Sequence, residues 1–360
     1  MLTNPLAMAA IDGRLDLNLS FSSEQLSAYK LTLNDINLVH KNDSGSAKYA
    51  FDNLNAEIAY SGQDSMPGYI RFDQARLFDK VEFSNTNLAL QADKNAVSVA
   101  NNSQLSIFDG ELLFDKFRMA YEDQKLNVDF QGVLTPVSLQ ELTTALDWPP
   151  MQGKISGVIP EISYSDGQAK LAGTMLVKVF DGDILFKNVQ ASHLLSDWPV
   201  LSANIQMRNL NLEPLTQTFS FGRISGRLDG KVSNLKLENW SPTAFDADFV
   251  TSPKSANRRI SQQAVDNISN LGGVGMAGAL SRSFLRFFED FGYDKLGIGC
   301  KLRDGVCEMN GVESADKGYY LVKGSGLPQI NVIGYNKSTD WNILINRLSA
   351  ISQSGAPTVN

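Results

Sequence analysis

Cysteine and histidine are the scarcest chemistry in this 360-residue chain: two cysteines, Cys300 and Cys307, and two histidines, His40 and His193. A zinc centre draws on clustered Cys and His ligands, and the histidines lie far from the cysteines in sequence, so a metal site reads poorly. A Ser–His–acid triad would have only those two histidines to use, and no Ser sits in a Gly-x-Ser-x-Gly elbow. Basic runs are also missing. Lys and Arg total 32 against 39 Asp and Glu, a net charge of −7, which argues against a duplex nucleic-acid binder. No stretch reaches the ~18 apolar residues of a membrane span. The N-terminus has no basic segment followed by an apolar run, so it does not read as a signal peptide. With 43 % apolar and 20 % charged residues, the chain has enough apolar surface to fold.

What is present is alternation. Leu15, Leu17, Leu19 and Phe21 alternate with Asp16, Asn18 and Ser20, and Ala203, Ile205 and Met207 repeat the pattern, as strands with one apolar face do. The alternation slips by one residue at an Asn or Asp in Leu31–Leu38, Ile205–Leu212 and Gly230–Leu237. A straight strand would send its second half to the wrong face, whereas a β-bulge restores the face and bends the strand. Two short strands joined by a tight turn are the alternative.

A repeat accompanies the alternation. Ile107-Phe-Asp-Gly-Glu-Leu-Leu-Phe-Asp-Lys-Phe117 recurs as Val179-Phe-Asp-Gly-Asp-Ile-Leu-Phe-Lys-Asn-Val189, with a degenerate copy at Leu77–Phe83. The spacing predicts one shared face for Phe108, Leu112 and Phe114, and another for Phe180, Ile184 and Phe186. Stacked repeats bury a continuous core between neighbours. The fold expectation is therefore mainly β: an elongated, curled, repeat-like sheet forming a groove over residues 1–250. A C-terminal α+β cap with two or three helices follows over 251–360. In that cap Ile260, Ala264, Val265, Ile268 and Leu271 have helical spacing, as do Leu280, Phe284, Leu285, Phe287, Phe288 and Phe291. The second helix could cap the groove, lie on a membrane surface, or pack as ordinary core. A last helix is expected to begin near Ser338 to Asp340, with Trp341, Leu344, Ile345, Leu348 and Ile351 on its apolar side, and the chain to fray from Gln353.

Candidate chemistry is thin. Gly273-Val-Gly-Met-Ala-Gly278 matches a dinucleotide fingerprint, but no βαβ unit surrounds it, and helix packing reads better. Asp109 and Asp181 occupy equivalent repeat positions beside glycines, where solvated turns are the expectation rather than a paired-acid site. The chain does not read as an enzyme, and it calls for no cofactor or metal. A four-residue loop Leu302–Gly305 would place Cys300 opposite Cys307, close enough for a disulfide; two unpaired, partly buried thiols are the alternative. A disulfide would imply an oxidising compartment such as a periplasm. With no export signal at the N-terminus, it would also suggest a C-terminal piece of a longer protein.

Thr218–Gly230, Arg259–Gly273, Arg282–Phe288, Cys300–Cys307 and Val322–Pro328 together resemble the C-terminal region of the AsmA-like family of bacterial bridge-like lipid transfer proteins. The resemblance is specific from about Gly153 to Leu348 and looser before it. It implies a periplasmic protein, anchored in the inner membrane by an N-terminal segment absent from this chain, whose curled sheet conducts phospholipid between inner and outer membranes. It further implies an outer-membrane lipoprotein partner (YnbE-like) that pairs a strand near the C-terminal end. On that reading the lipid groove is lined by Phe108, Leu112, Phe114, Phe180, Ile184, Phe186, Ile205 and Met207, and the helix carrying Phe284, Phe287, Phe288 and Phe291 sits at its end. The competing expectation is a structural envelope scaffold whose apolar faces close on one another.

Overall fold

The computed structural model describes residues 9–41, 47–62, 66–77, 81–145, 150–194, 198–271 and 288–353. In chain order the elements are β1 (Ala9–Ser22), β2 (Gln25–Lys41), β3 (Ala47–Tyr60), β4 (Met66–Leu77), β5 (Val81–Ala92), β6 (Ala96–Val99), β7 (Ser103–Ile107), β8 (Gly110–Glu122), β9 (Lys125–Ser138) and α1 (Leu139–Ala145). After these come β10 (Lys154–Ser165), β11 (Gln168–Leu171), β12 (Thr174–Val179), β13 (Gly182–Ser192), β14 (Val200–Asn211), α2 (Leu212–Thr218), β15 (Ile224–Ser225), β16 (Arg227–Glu238), β17 (Ser241–Thr251) and β18 (Arg259–Ser261). The chain finishes with α3 (Gln262–Leu271), β19 (Asp290–Arg303), β20 (Val306–Gly311), β21 (Glu313–Ala315), β22 (Gly318–Ser325), β23 (Val332–Gly334), β24 (Ser338–Asp340) and α4 (Trp341–Gln353). The protein is mainly β with a few helices, as the alternation leads one to expect.

Two compact units divide the chain: Met1–Pro150 with Lys154–Met175, and Met151–Gly153 with Leu176–Asn360. This boundary falls well before the change of sequence character near residue 251. In the first unit, consecutive long strands pair antiparallel from β1 to β5, and β8, β9 and β10 do the same. In the second, β13, β14, β16, β17, β19 and β20 are successive antiparallel neighbours.

The phase slips are bulges within continuous strands. Asp35, Asn209 and Asn234 take left-handed backbone angles of φ 50°, 56° and 54°, each at a register shift. Asn53, Asn85 and Asn188 do likewise in β3, β5 and β13. Asn and Asp tolerate this region because their short polar side chains bond locally. The bulges support one another across strands. The Asp35 N–H donates to Asn55 Oδ1 at 3.2 Å and the Asn53 N–H to Asn37 Oδ1 at 3.0 Å. In the second unit the Asn209 N–H donates to Asp229 Oδ1 at 2.7 Å and the Asn234 N–H to Asn204 Oδ1 at 2.8 Å. At these four bulges a backbone donor is freed, and a side-chain oxygen on the next strand accepts from it. On β1 the same line ends at Gly13 (φ 120°), where a Cβ would stand 2.6 Å from the Asp35 carbonyl oxygen.

Several local expectations change. Phe108 and Phe180 lie in the tight turns joining β7 to β8 and β12 to β13, at φ 52° and 50°, rather than along strands. Asp109-Gly110 and Asp181-Gly182 close those turns, so the repeat is a hairpin plus the strand that leaves it. Phe291 belongs to β19, opposite Ile260 of β18, so neither residue is helical; Phe288 lies just before β19, outside any helix. Phe284 and Phe287, with the glycine-rich Gly273–Gly278 stretch and most of the second amphipathic segment, lie outside the described residues. So do residues 354–360, where fraying is expected.

The remaining helices hold, with modifications. α3 buries Ala264, Val265, Ile268 and Leu271, as its spacing requires. α4 starts one residue after Asp340, whose Oδ1 accepts from the Ile343 N–H at 3.0 Å, an N-cap. Leu344 is buried there, but Ile345 and Leu348 stay exposed, so α4 buries a narrower stripe than its spacing suggests.

The cysteine hairpin also differs in register. Arg303 pairs with Val306, leaving a two-residue turn, Asp304-Gly305, with both residues left-handed. Cys300 therefore faces Met309, and Cys307 faces Leu302. The cysteines are diagonal neighbours on one face, 5.5 Å apart at Cα, and they form the disulfide.

Candidate functional site

The feature that recurs in both units is an apolar face assembled row by row. Directly paired residues of antiparallel strands share a face, so the register shows how far each row runs. In the first unit Leu15, Leu33, Ala56, Ile70 and Leu88 align across β1 to β5, and Leu17, Leu31 and Ile58 across β1 to β3. Further along, Leu90, Val99, Phe117, Phe130, Ile162 and Leu171 align across β5, β6, β8, β9, β10 and β11. Leu112 and Phe114 belong here, packed with Leu88, Leu90, Val99, Ile58 and Ile70. Phe114 meets the Phe130 ring edge-on at 5.7 Å. The bulge between Phe114 and Lys116 keeps Phe114 and Phe117 on this face together.

Toward β1 the rows open to solvent. β1 pairs only with β2 among the described strands. Its side chains on this face are more than half exposed, from Leu19 at 51 % to Phe21 at 64 %. Large exposed apolar rows of this kind are unusual for a protein with nothing to place against them.

In the second unit Phe186, Ile205, Val232, Ala247, Cys300 and Met309 form one row across β13, β14, β16, β17, β19 and β20. Ile184, Met207, Gly230, Phe249, Ile298 and Gly311 form the next. Ile184, Phe186, Ile205 and Met207 are half-buried. At the other end Trp341 of α4 packs edge-on against Phe245 at 5.3 Å, beside Ala247, Leu302 and Cys300. The disulfide lies in this apolar face and ties β19 to β20 there.

Of the eight residues that the sequence places on a lipid face, six are on these apolar faces: Leu112 and Phe114 in the first unit, Ile184, Phe186, Ile205 and Met207 in the second. Phe108 and Phe180 sit at strand ends. The sequence reading passed over the exposed row on β1 as functional, although its clean alternation carried the signal, and it passed over Phe117, Phe130 and Phe249, whose rows emerge only from register.

The opposite faces are mixed, with an apolar row at Leu113, Val133 and Val158 and ion pairs elsewhere. Lys116 bonds Glu161 and stands 3.8 Å from Asp129, Lys30 pairs with Glu57 at 2.9 Å, and Lys231 with Asp248 at 3.4 Å. Glu313, between Lys295 and Lys323, is held at a pKa of about 2 by hydrogen bonds from both ammonium groups. Arg303 forks onto both carboxylate oxygens of Asp246 at 3.1 and 2.9 Å. The hydrogen bond from Asn234, followed by the one from Arg303, lowers the pKa of that carboxyl.

Asp109 and Asp181 are turn residues. Asp109 accepts from the Ser138 N–H at 2.6 Å, which lowers its pKa, with help from Lys154. Asp181 accepts from Asn211 Nδ2 at 3.0 Å. The two acids lie in different units. Among the described residues no three His, Cys, Asp or Glu side chains gather as a metal site, and no helix is long and apolar enough to cross a membrane.

No family model, curated protein or solved structure matches the chain.

Proposed function

We infer that the apolar faces carry the acyl chains of phospholipids, and that the protein moves lipid between the inner and outer membranes of a bacterial envelope. The observation that carries this reading is the register of apolar side chains across five or six neighbouring strands, interrupted only by Ala and Gly, buried at the middle strands and half-buried or open toward β1 and β13. Each methylene withdrawn from water gains about 0.8 kcal/mol, so a continuous apolar floor lets a chain slide from row to row without losing that energy. Head groups stay over the wet margin. No catalyst is needed for such a step.

The AsmA-like resemblance supports the same reading and adds a setting: a periplasmic location, which the disulfide suits, and an inner-membrane anchor upstream. It also adds an outer-membrane lipoprotein that extends the sheet near the C-terminal end. The edge offered there is short: β24 has three residues and pairs with Val306–Glu308 of β20. The competing scaffold reading, in which apolar faces close on each other, draws on α4 covering the face at Phe245.

Native mass spectrometry of the purified 360-residue chain separates the two. The conduit reading expects co-purified phospholipid, reduced at least tenfold by Ile205→Asp with an unchanged far-UV spectrum. A lipid-free wild-type protein would favour the scaffold.

A further inference from the structure

The apolar face of the second unit does not simply stop at its helical end; it leads into a cavity. Ile298, a member of the row that runs back through Phe249 and Met207 to Ile184, forms part of the wall of a space of about 450 Å³. The remaining wall comes from helices and strands packed over that end: Phe219 after α2, Ile224 of β15, Ile268 of α3, Leu321 of β22 and Leu348 of α4. Its floor is fully buried, with Leu321 only 1 % exposed, while Leu348 at the rim is 38 % exposed.

Thr216 is the one polar side chain among the described lining residues. Its hydroxyl is already committed: it donates to the Glu213 carbonyl at 3.4 Å and accepts from the Ile224 N–H at 3.3 Å. A water molecule needs two to four polar partners, and the described side chains of this wall offer at most the second lone pair of the Thr216 hydroxyl. The space therefore suits an apolar occupant. At ~30 Å³ for each water-sized volume, comparable to one methylene, the space amounts to on the order of 15 such volumes.

We propose that this cavity is a terminal binding site for one linear acyl chain, entered past Leu348 and continuous with the sheet face through Ile298. It rests on the reading of that face as a lipid surface, and it adds an end to the track: a chain that slides along the rows can insert into a half-open apolar pocket and be held. Either a free fatty acid or one chain of a phospholipid presents the same hydrocarbon.

Displacement of fluorescent cis-parinaric acid from the full chain tests the proposal. Saturated fatty acids of increasing length are expected to compete at a single site. Affinity should rise roughly fourfold per methylene, the factor hydrocarbon transfer implies, and level off near 15 carbons as the cavity fills. Ile268→Trp fills the floor and Leu348→Trp the rim; each should weaken competition at least tenfold. Leu348→Trp is on a half-exposed position, so it keeps the test valid if the core variant fails to fold. Competition by a lysophospholipid of the same chain length assigns a lipid with a head group outside the mouth, and competition by the free acid alone assigns fatty acid. Absence of a saturable site, affinity that climbs steadily past 18 carbons or so, or normal competition by folded Leu348→Trp overturns the proposal. Loss of co-purified phospholipid in Ile205→Asp reads the sheet face and loss of parinaric displacement in Leu348→Trp reads the cavity, so each reading fails on its own variant.

Discussion

At the scale of single residues the protein is organised by left-handed Asn and Asp. An L residue with φ near +50° is strained unless its side chain can bond locally, and the backbone N–H it turns out of the ladder needs an acceptor. The partner oxygens on neighbouring strands supply it: Asn55 for Asp35, Asn37 for Asn53, Asp229 for Asn209 and Asn204 for Asn234. Removing the Asn55 acceptor leaves the partly buried Asp35 N–H unpaired, so Asn55→Ala should lower stability by about 1 kcal/mol. Urea denaturation would measure it, with Asn18→Ala on β1 as a neutral comparison. The positions of the slips were legible from sequence because few residue types tolerate this conformation. The cross-strand partners were not, since an Asn or Asp on a neighbouring strand looks like any polar residue until the register is known.

Elements were legible wherever a single periodicity ran long enough. β1, β2, β14 and β16 carry clean alternation through their bulges, and α3 and α4 carry helical spacing. The seven-residue α1 and α2 were missed because so short a segment has little periodicity, and α2 depends on a cap, Asn211 Oδ1 accepting from the Glu213 N–H at 3.2 Å. Phe108 and Phe180 were misplaced because Phe-Asp-Gly-x followed by Leu112 or Ile184 continues an alternating pattern across what is a turn. The cysteine hairpin was misread by loop length alone: with the two-residue Asp304-Gly305 turn, the disulfide is diagonal rather than direct. That bond closes a short loop, for which chain entropy predicts a contribution of about 2 kcal/mol. Reduction under native conditions should lower the denaturation midpoint accordingly, and a Cys300→Ser, Cys307→Ser chain should match the reduced protein.

For the whole molecule, the sequence conveyed that the chain is β-rich and that much of its apolar content faces one way. It could not say which apolar residues line up, because pairing register is a tertiary property. Only with register in hand do Ile184, Met207, Phe249 and Ile298 become one row, and Phe186, Ile205 and Val232 another. The central claim is that these rows touch lipid while the residues between them do not. Replacing Ile205 by the photoreactive p-benzoylphenylalanine, and in a separate chain its immediate neighbour Gln206, asks that question directly in cells producing the protein. The account predicts a phospholipid adduct at Ile205 and little or none at Gln206, whose backbone pairs with Lys231 on the polar face. Equal capture at both positions, or capture at neither, would contradict it.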